Sequence, residues 1–424
     1  MIAMALFAQT LIAVGLLLLA IVVIVRPGSM PRFVGRVPAS LAFRIPFAVL
    51  SALAGAGMLV GLAVPFVVFF AACLTAIVLV WAWPVLVVRG GGSWALPVSM
   101  LAATVGVALA QPLGLKVLLL PKADTLSYEP VPASVVKTYD EGVGFESVRA
   151  GLDGTLYLAA NRGLDFNISD YYRHAQGEII ARSPDGRERI VFTTPVGSTA
   201  GVMTLKADGT IFMTSNGKTP GIWRIAPNGA ASMIARLPSG AWPNGLDFGP
   251  DGMLYTPDSS LAAIWRIDPE TGRFEQASDD KVLTARPFIA LAPGANGLHF
   301  VGRDMIVTVS DSTKVLKFTL GENGTFGRPA ILANGIPGDD FAVGEDGSLF
   351  ITTHPYDTVV RVAPDGRRSI IADARQHIVG ATDAVFGRGR HDRDTLYVAT
   401  DGGAFTKGLR ARGQLIALRP NPGR

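Results

Sequence analysis

The chain has 424 residues, enough for two domains, with 49% hydrophobic and 17% charged residues. Residues 1–122 hold no acid and seven of the 38 Lys and Arg, which leaves 31 bases against 34 acids in the remainder. The isoelectric point near 9.2 thus comes from the apolar N-terminal part. With no basic stripe interleaved by aromatics, nucleic acid is excluded as a partner, and a single cysteine, Cys73, excludes an intramolecular disulfide.

The first 115 residues predict four membrane spans. Residues 2–25 form an uncharged apolar run whose helix would reach roughly 36 Å, long enough to cross a bilayer. No positive residue precedes the run and further spans follow it, so a cleaved signal peptide fits poorly. Residues 46–88 exceed one helix and divide at Pro65; the fourth run is 94–115. Arg26, Arg32, Arg36 and Arg44 crowd the first connection and Arg89 the third, which places both on the cytoplasmic side. Both termini, and everything after the fourth span, are then extracytoplasmic or periplasmic, with Lys116 and Lys122 weighing against. Gly57 and Gly61 give a small-residue spacing suited to close packing within the bundle. No acid or His lies in a span, so no intramembrane ion path is expected. In hydropathy the four-helix pattern resembles the DoxX-like membrane family.

Residues 116–133, with Pro121, Pro130 and Pro132, read as a stiff linker. Residues 134–424 then repeat. Turn positions fall at 153, 208, 251, 303, 346 and 393, each followed by a short apolar strand such as Leu254-Tyr255 or Leu349-Phe350. A further strand follows, as in Ile222-Trp223-Arg224-Ile225 and Ile264-Trp265-Arg266-Ile267. Four strands per copy in six copies predict an all-β six-bladed β-propeller behind an all-α transmembrane domain. The last copy ends one strand short, and residues 134–140 are expected to supply it, pairing the two ends of the domain.

A polar residue stands seven positions before several turns: Glu146 before Asp153-Gly154, Asn244 before Asp251-Gly252, Asn296 before Arg303-Asp304, and Asp339 before Asp346-Gly347. Equivalent positions of innermost strands form a ring at one channel mouth, completed here by Gly201 and Thr382. Two carboxylates and two amides at one structural address predict an oxygen-only site for calcium or another divalent cation. The absence of His and Cys from the ring argues against zinc or copper. The competing reading makes Asn244-Gly245 and Asn296-Gly297 plain turns.

The stretch Pro243-Asn244-Gly245-Leu246-Asp247-Phe248-Gly249-Pro250-Asp251-Gly252, followed by Leu254-Tyr255 and Asp258-Ser259, resembles the senescence-marker-protein, gluconolactonase and luciferin-regenerating-enzyme family over residues 134–420. The related diisopropylfluorophosphatase and paraoxonase propellers share the Glu, Asn, Asn, Asp set. The resemblance implies that Glu146, Asn244, Asn296 and Asp339 bind a catalytic calcium, with Asp339 also as base or nucleophile. Asp340, one step along the strand, ranks second. Gly201, Thr382 and Asp383 are the candidate pocket residues. One departure matters: sugar lactonases carry Arg-x-Asn-Asp-Gly where this chain has Thr199-Ala200-Gly201-Val202-Met203, which puts gluconolactone in doubt. Strictosidine-synthase-like propellers, a looser likeness, need a Glu where Thr382-Asp383 stands.

The expected function is a membrane-anchored, calcium-dependent hydrolase of lactones or esters, with a small-molecule substrate and the lipid bilayer as partners. The alternative is a non-catalytic, calcium-stabilised sensor or scaffold with a membrane partner protein; in a third reading the helices carry an unrelated membrane function. His299 and His354 are candidate proton carriers; strand alternation turns His299 away from the ring, and the competing reading makes both core or surface positions. The segment 163–177, with Phe166, Tyr171, Tyr172 and His174, is long enough to lid the site or to be a surface loop.

Overall fold

The computed structural model of the chain describes residues 2–26, 38, 40–60, 66–90, 94–110, 123, 126–166, 168, 170–286, 293–322 and 324–420. Two units result, one over Met1–Leu119 and one over Leu120–Phe166 and Asp170–Arg424.

The first unit contains four helices: α1 (Ile2–Val25), α2 (Leu41–Val60), α3 (Phe66–Gly90) and α4 (Ala95–Ala110). Small residues set their spacing. A Cβ on Gly55 would sit 2.9 Å from the Ala13 carbonyl of α1, and one on Gly57 would sit 2.9 Å from Ala71 of α3. Gln9 Nε2 donates to the Met58 carbonyl at 2.8 Å, a tie between α1 and α2 inside an apolar interface. Helix α2 begins five residues before the expected Pro46. That brings Arg44 into its first turns, where Nε and Nη2 donate to the Val23 and Ile24 carbonyls (2.8 and 2.6 Å) and cap the end of α1.

Only Leu41–Val60 is long and apolar enough, among the described residues, to cross a bilayer. The described side chains of α1 and α3 cover the shorter apolar stretches Gln9–Val25 and Ala71–Pro84, and α4 has 16 residues. Four helices are present as expected; four spans are not established. Arg32, Arg36, Gly61, Pro65, Lys116, Pro121 and Lys122, which the topology and linker readings use, lie outside the described residues.

The second unit is a six-bladed β-propeller. Five sheets have four strands and one has five. The blades span 143–193, 203–236, 247–278, 295–334, 341–373 and 381–418, numbered one to six. Residues Ala133–Thr138 pair antiparallel with Gln414–Leu418 and complete blade six, joining the ends of the domain. The linker also contributes. Ser127–Tyr128 runs parallel to the outer strand of blade five as its fifth strand, and Glu129 and Val131 donate to the Ile370 and Ile371 carbonyls.

Each hairpin turn follows from its sequence. Asp153, Asp208, Asp251 and Asp346 accept the backbone N–H two residues on, and the glycine after each Asp takes a positive φ. Blade four differs. Its turn uses Gly302 (φ 61°), with Val301 facing Asp304, so Arg303-Asp304 is not the Asp-Gly equivalent its spacing suggested. The hydrophobic core is divided into layers between neighbouring blades. Phe145 and Leu158 meet Ala399 and Leu415 between blades one and six, for example, and Phe212 meets Leu246 and Leu254 between blades two and three.

Candidate functional site

Bulges aim the ring. In blade one the pairing register jumps between Phe145 and Ser147, leaving Glu146 as the extra residue; in blade six it jumps between Ala381 and Asp383, leaving Thr382. In blade four it jumps across Asn296-Gly297. An extra residue in one strand re-directs its side chain and reverses the alternation that follows. The Asn-Gly pairs are therefore not turns. Neither Gly245 nor Gly297 has a positive φ, and each donates its N–H to the next blade, to the Asn296 and Asp339 carbonyls at 2.9 Å. A Cβ there would lie 2.4 Å from Leu298 N or from the Asp339 carbonyl, so glycine is required by close approach.

Second strands hold the ring in place. The buried Thr214, Thr308 and Thr352 hydroxyls donate to the Asn244, Asp339 and Thr382 carbonyls (3.0, 2.6 and 2.8 Å). Two residues beyond Thr308 stands Ser310, whose Oγ donates to the Gly338 carbonyl at 2.6 Å; Ser259 does the same to Ala295 at 2.7 Å. With its proton so committed, each serine can only accept. It receives the amide nitrogen of Asn296 (2.9 Å) or Asn244 (3.4 Å). The amide oxygens are thereby turned away from the serines. Asn296 Nδ2 also donates to Asp339 Oδ1 at 2.7 Å, while its Oδ1 is buried without a hydrogen-bond partner.

The two carboxylates share one cationic neighbour, His354, which does not offset their burial. Burial pushes Glu146 up to about 7, with Asp401, Asp383 and Asp340 adding repulsion and His354 opposing it. Burial likewise holds Asp339 well above the usual carboxylate range, against His354 and with Glu146 and Asp340 adding to the rise. Among the described residues no hydrogen-bond donor reaches Glu146. An orphaned amide oxygen beside two repelling carboxylates fits a hard divalent cation. Among the described residues no three of His, Cys, Asp and Glu group as a metal site, since half of this donor set is amide.

Asp401 was missed from sequence, and His354 reads there only as a candidate proton carrier with no partner. His354 Nε2 lies 2.9 Å from Asp401 Oδ2, and its Nδ1 lies 3.8 Å from Asp339 Oδ2. Burial alone would lower its pKa, but Asp401, Asp339 and Glu146 raise it to about 9. The signal was the repeated buried threonine: Thr214, Thr308 and Thr352 each precede a polar residue by two positions, and in blade five that residue is His354. Glu146, His354, Asp401 and Thr382 line a cavity of about 30 Å³. The loop after Gly163 covers it. Phe166 stacks on Phe405 of the short helix α5 (Ala404–Lys407) at 4.3 Å and 11°, and Phe405 meets the His354 ring at 5.2 Å.

Gly201 brings no side chain to this cavity, and none would fit, because a Cβ would lie 2.3 Å from Thr214 Oγ1. Asp383 does not line it either. It is fully buried one level further along the channel, accepting from Ser147 Oγ and Val148 N and pairing with Arg149. Arg149 also pairs with Asp340 (3.0 Å), Asp340 with His299 (3.2 Å), and His299 with Asp247 (3.3 Å). Among the described residues His299 thus touches no ring residue, as its sequence reading has it, but the bulge at Asn296-Gly297 shifts its parity and brings it to these acids. Asp247 and His299 face a funnel of about 970 Å³ on the side away from Glu146.

No family model matches this sequence, and neither does any curated protein. Solved structures do match in fold. The chain is similar to a luciferin-regenerating enzyme at 13% identity, covering 69% of this chain and 96% of that one with a TM-score of 0.50. It is also similar to the calcium-binding protein regucalcin from Agrobacterium tumefaciens, at 14% identity, 70% and 97% coverage and a TM-score of 0.48. Virginiamycin B lyase from Staphylococcus aureus matches at 11% identity, 68% and 99% coverage and a TM-score of 0.46. At these identities the likeness is one of fold.

Proposed function

We propose that this chain is a calcium-dependent hydrolase of lactones or esters, working at the channel mouth under the Phe166 loop. The observation that carries the reading is the serine-turned amide of Asn296, its oxygen without a partner, against Asp339, with Asp339 and Glu146 both buried and repelling each other. Glu146, Asn244, Asn296 and Asp339 would hold the cation through oxygen alone. Once bound, it would polarise the substrate carbonyl and stabilise the negative charge that develops on it. The chain's residues do the rest. Asp339 would take the proton from water, and His354, which Asp401 orients and keeps protonated, would give one to the leaving oxygen. The reading includes a bilayer anchor, for which α2 has the length, and an extracytoplasmic propeller.

The test uses the full chain in lipid nanodiscs and a panel of lactones and aryl esters, with calcium or chelator. Turnover should require calcium, and Asp339→Asn should lower kcat/KM by at least roughly a hundredfold. No turnover while calorimetry shows calcium bound would sink the enzyme. A non-catalytic sensor, in which calcium only raises the Tm, would take its place; the small size of the cavity is the observation on its side.

A further inference from the structure

We propose that Phe166 and Phe405 form an aromatic gate that selects a compact apolar substrate, an aryl- or alkyl-bearing lactone or ester, over a polyhydroxylated one. This rests on the hydrolase reading and narrows its substrate class. The cavity of about 30 Å³ has room for little beyond water, and the Phe166 ring that lines it stacks on Phe405, so a substrate that fills it displaces this stack. The apolar part of the lining it then meets is Phe145, Leu164, Phe166 and Ala404, with Phe405 stacked behind Phe166. An apolar ring sliding between them restores the stacking that opening breaks.

Sugar hydroxyls would find few partners. Asn161 is spent at both ends, its Nδ2 donating to the Ala200 carbonyl and its Oδ1 accepting from Ala200 N, each at 2.9 Å. Thr382 Oγ1 donates to the Ala399 carbonyl at 3.1 Å. Asp401 is held by Gly403 N at 2.7 Å and by His354. Blade two supplies nothing at Gly201, where Thr214 already fills the space of a side chain. Each hydroxyl brought under the gate would lose water without replacement. The helix that carries Phe405 is short, with α5 bounded by Gly403 (φ 85°) and Gly408 (φ 56°).

The experiment is calorimetry on the full chain in nanodiscs with calcium, using two lactams that resist hydrolysis. One is bicyclic and aromatic, 3,4-dihydroquinolin-2-one; the other is gluconolactam. The aromatic lactam should bind at least about tenfold more tightly. Phe166→Ala and Phe405→Ala should each weaken it by about fivefold or more while calcium affinity stays put. Equal or tighter binding of gluconolactam, no binding of either, or wild-type affinity in both variants overturns the gate. Failure of calcium to bind, seen in the same instrument, overturns the metal reading instead, and the ranking of the two lactams still judges the gate.

Discussion

Arg149 shows what one side chain can hold together. It is nearly buried and carries ion pairs to Asp340 of blade five and Asp383 of blade six. Their charges and hydrogen bonds raise its pKa, although burial by itself would lower it. Removing it strands two carboxylates in a place with little water. Arg149→Met should therefore cost about 3–5 kcal/mol of stability in urea denaturation, the range for breaking a buried pair from one side. A loss below roughly 1 kcal/mol would mean that water reaches both acids. Arg149 was not legible in the sequence, where nothing sets it apart from other strand arginines. The quartet is read from a spacing to the turn, which depends on the turn's own chemistry and fails in blade four, where Gly302 makes the turn. Face assignment by alternation does not survive a bulge, so the partners of His299, Asp247 and Asp340, could not be read from the strand pattern.

Among the elements, the linker is the one whose structure departs most from its sequence. Its prolines suggested a free-standing spacer. Instead, Ser127–Tyr128 adds a parallel strand to blade five, an arrangement no local pattern announces because the partner strand lies some 240 residues away. Tyr128 fastens it: Arg375 stacks over the ring at 3.9 Å, and the hydroxyl donates to Gln376 Oε1 at 2.9 Å. Blade five is also the blade of Asp339 and His354, so the added strand guards the outer edge of the sheet that carries both. Tyr128→Ala removes a cation–π contact and a hydrogen bond, worth about 1–2 kcal/mol together. The expected result is that much loss in propeller stability and faster proteolytic cleavage near residue 128. Unchanged cleavage would show that the backbone bonds to Ile370 and Ile371 suffice.

On the scale of the whole propeller, one polar circuit passes through all six blades. Thr204 Oγ1 contacts Asp247, and the chain continues through His299, Asp340 and Arg149 to Asp383; Ser147 then bonds both Asp383 and Met203 N, returning to blade two. Inter-blade apolar layers close the ring by area, and this circuit closes it by charge, so its strength must vary with pH. Burial would lower the pKa of His299, but the Asp340 charge and hydrogen bonds to Asp247 and Asp340 raise it to about 9. The folded state thus holds a proton that the unfolded chain releases near pH 6.5. Stability from this group is full below that point and is lost as pH rises through about 9. His354, also raised to about 9, acts in the same direction. Metal-free protein should accordingly lose stability between pH 7 and 9, with up to about 3 kcal/mol from His299. His299→Gln should be less stable at pH 7, and its curve should be flatter than wild type by the His299 share. Parallel curves for the two proteins would show that His299 is neutral in the circuit and that Arg149 alone carries its positive charge.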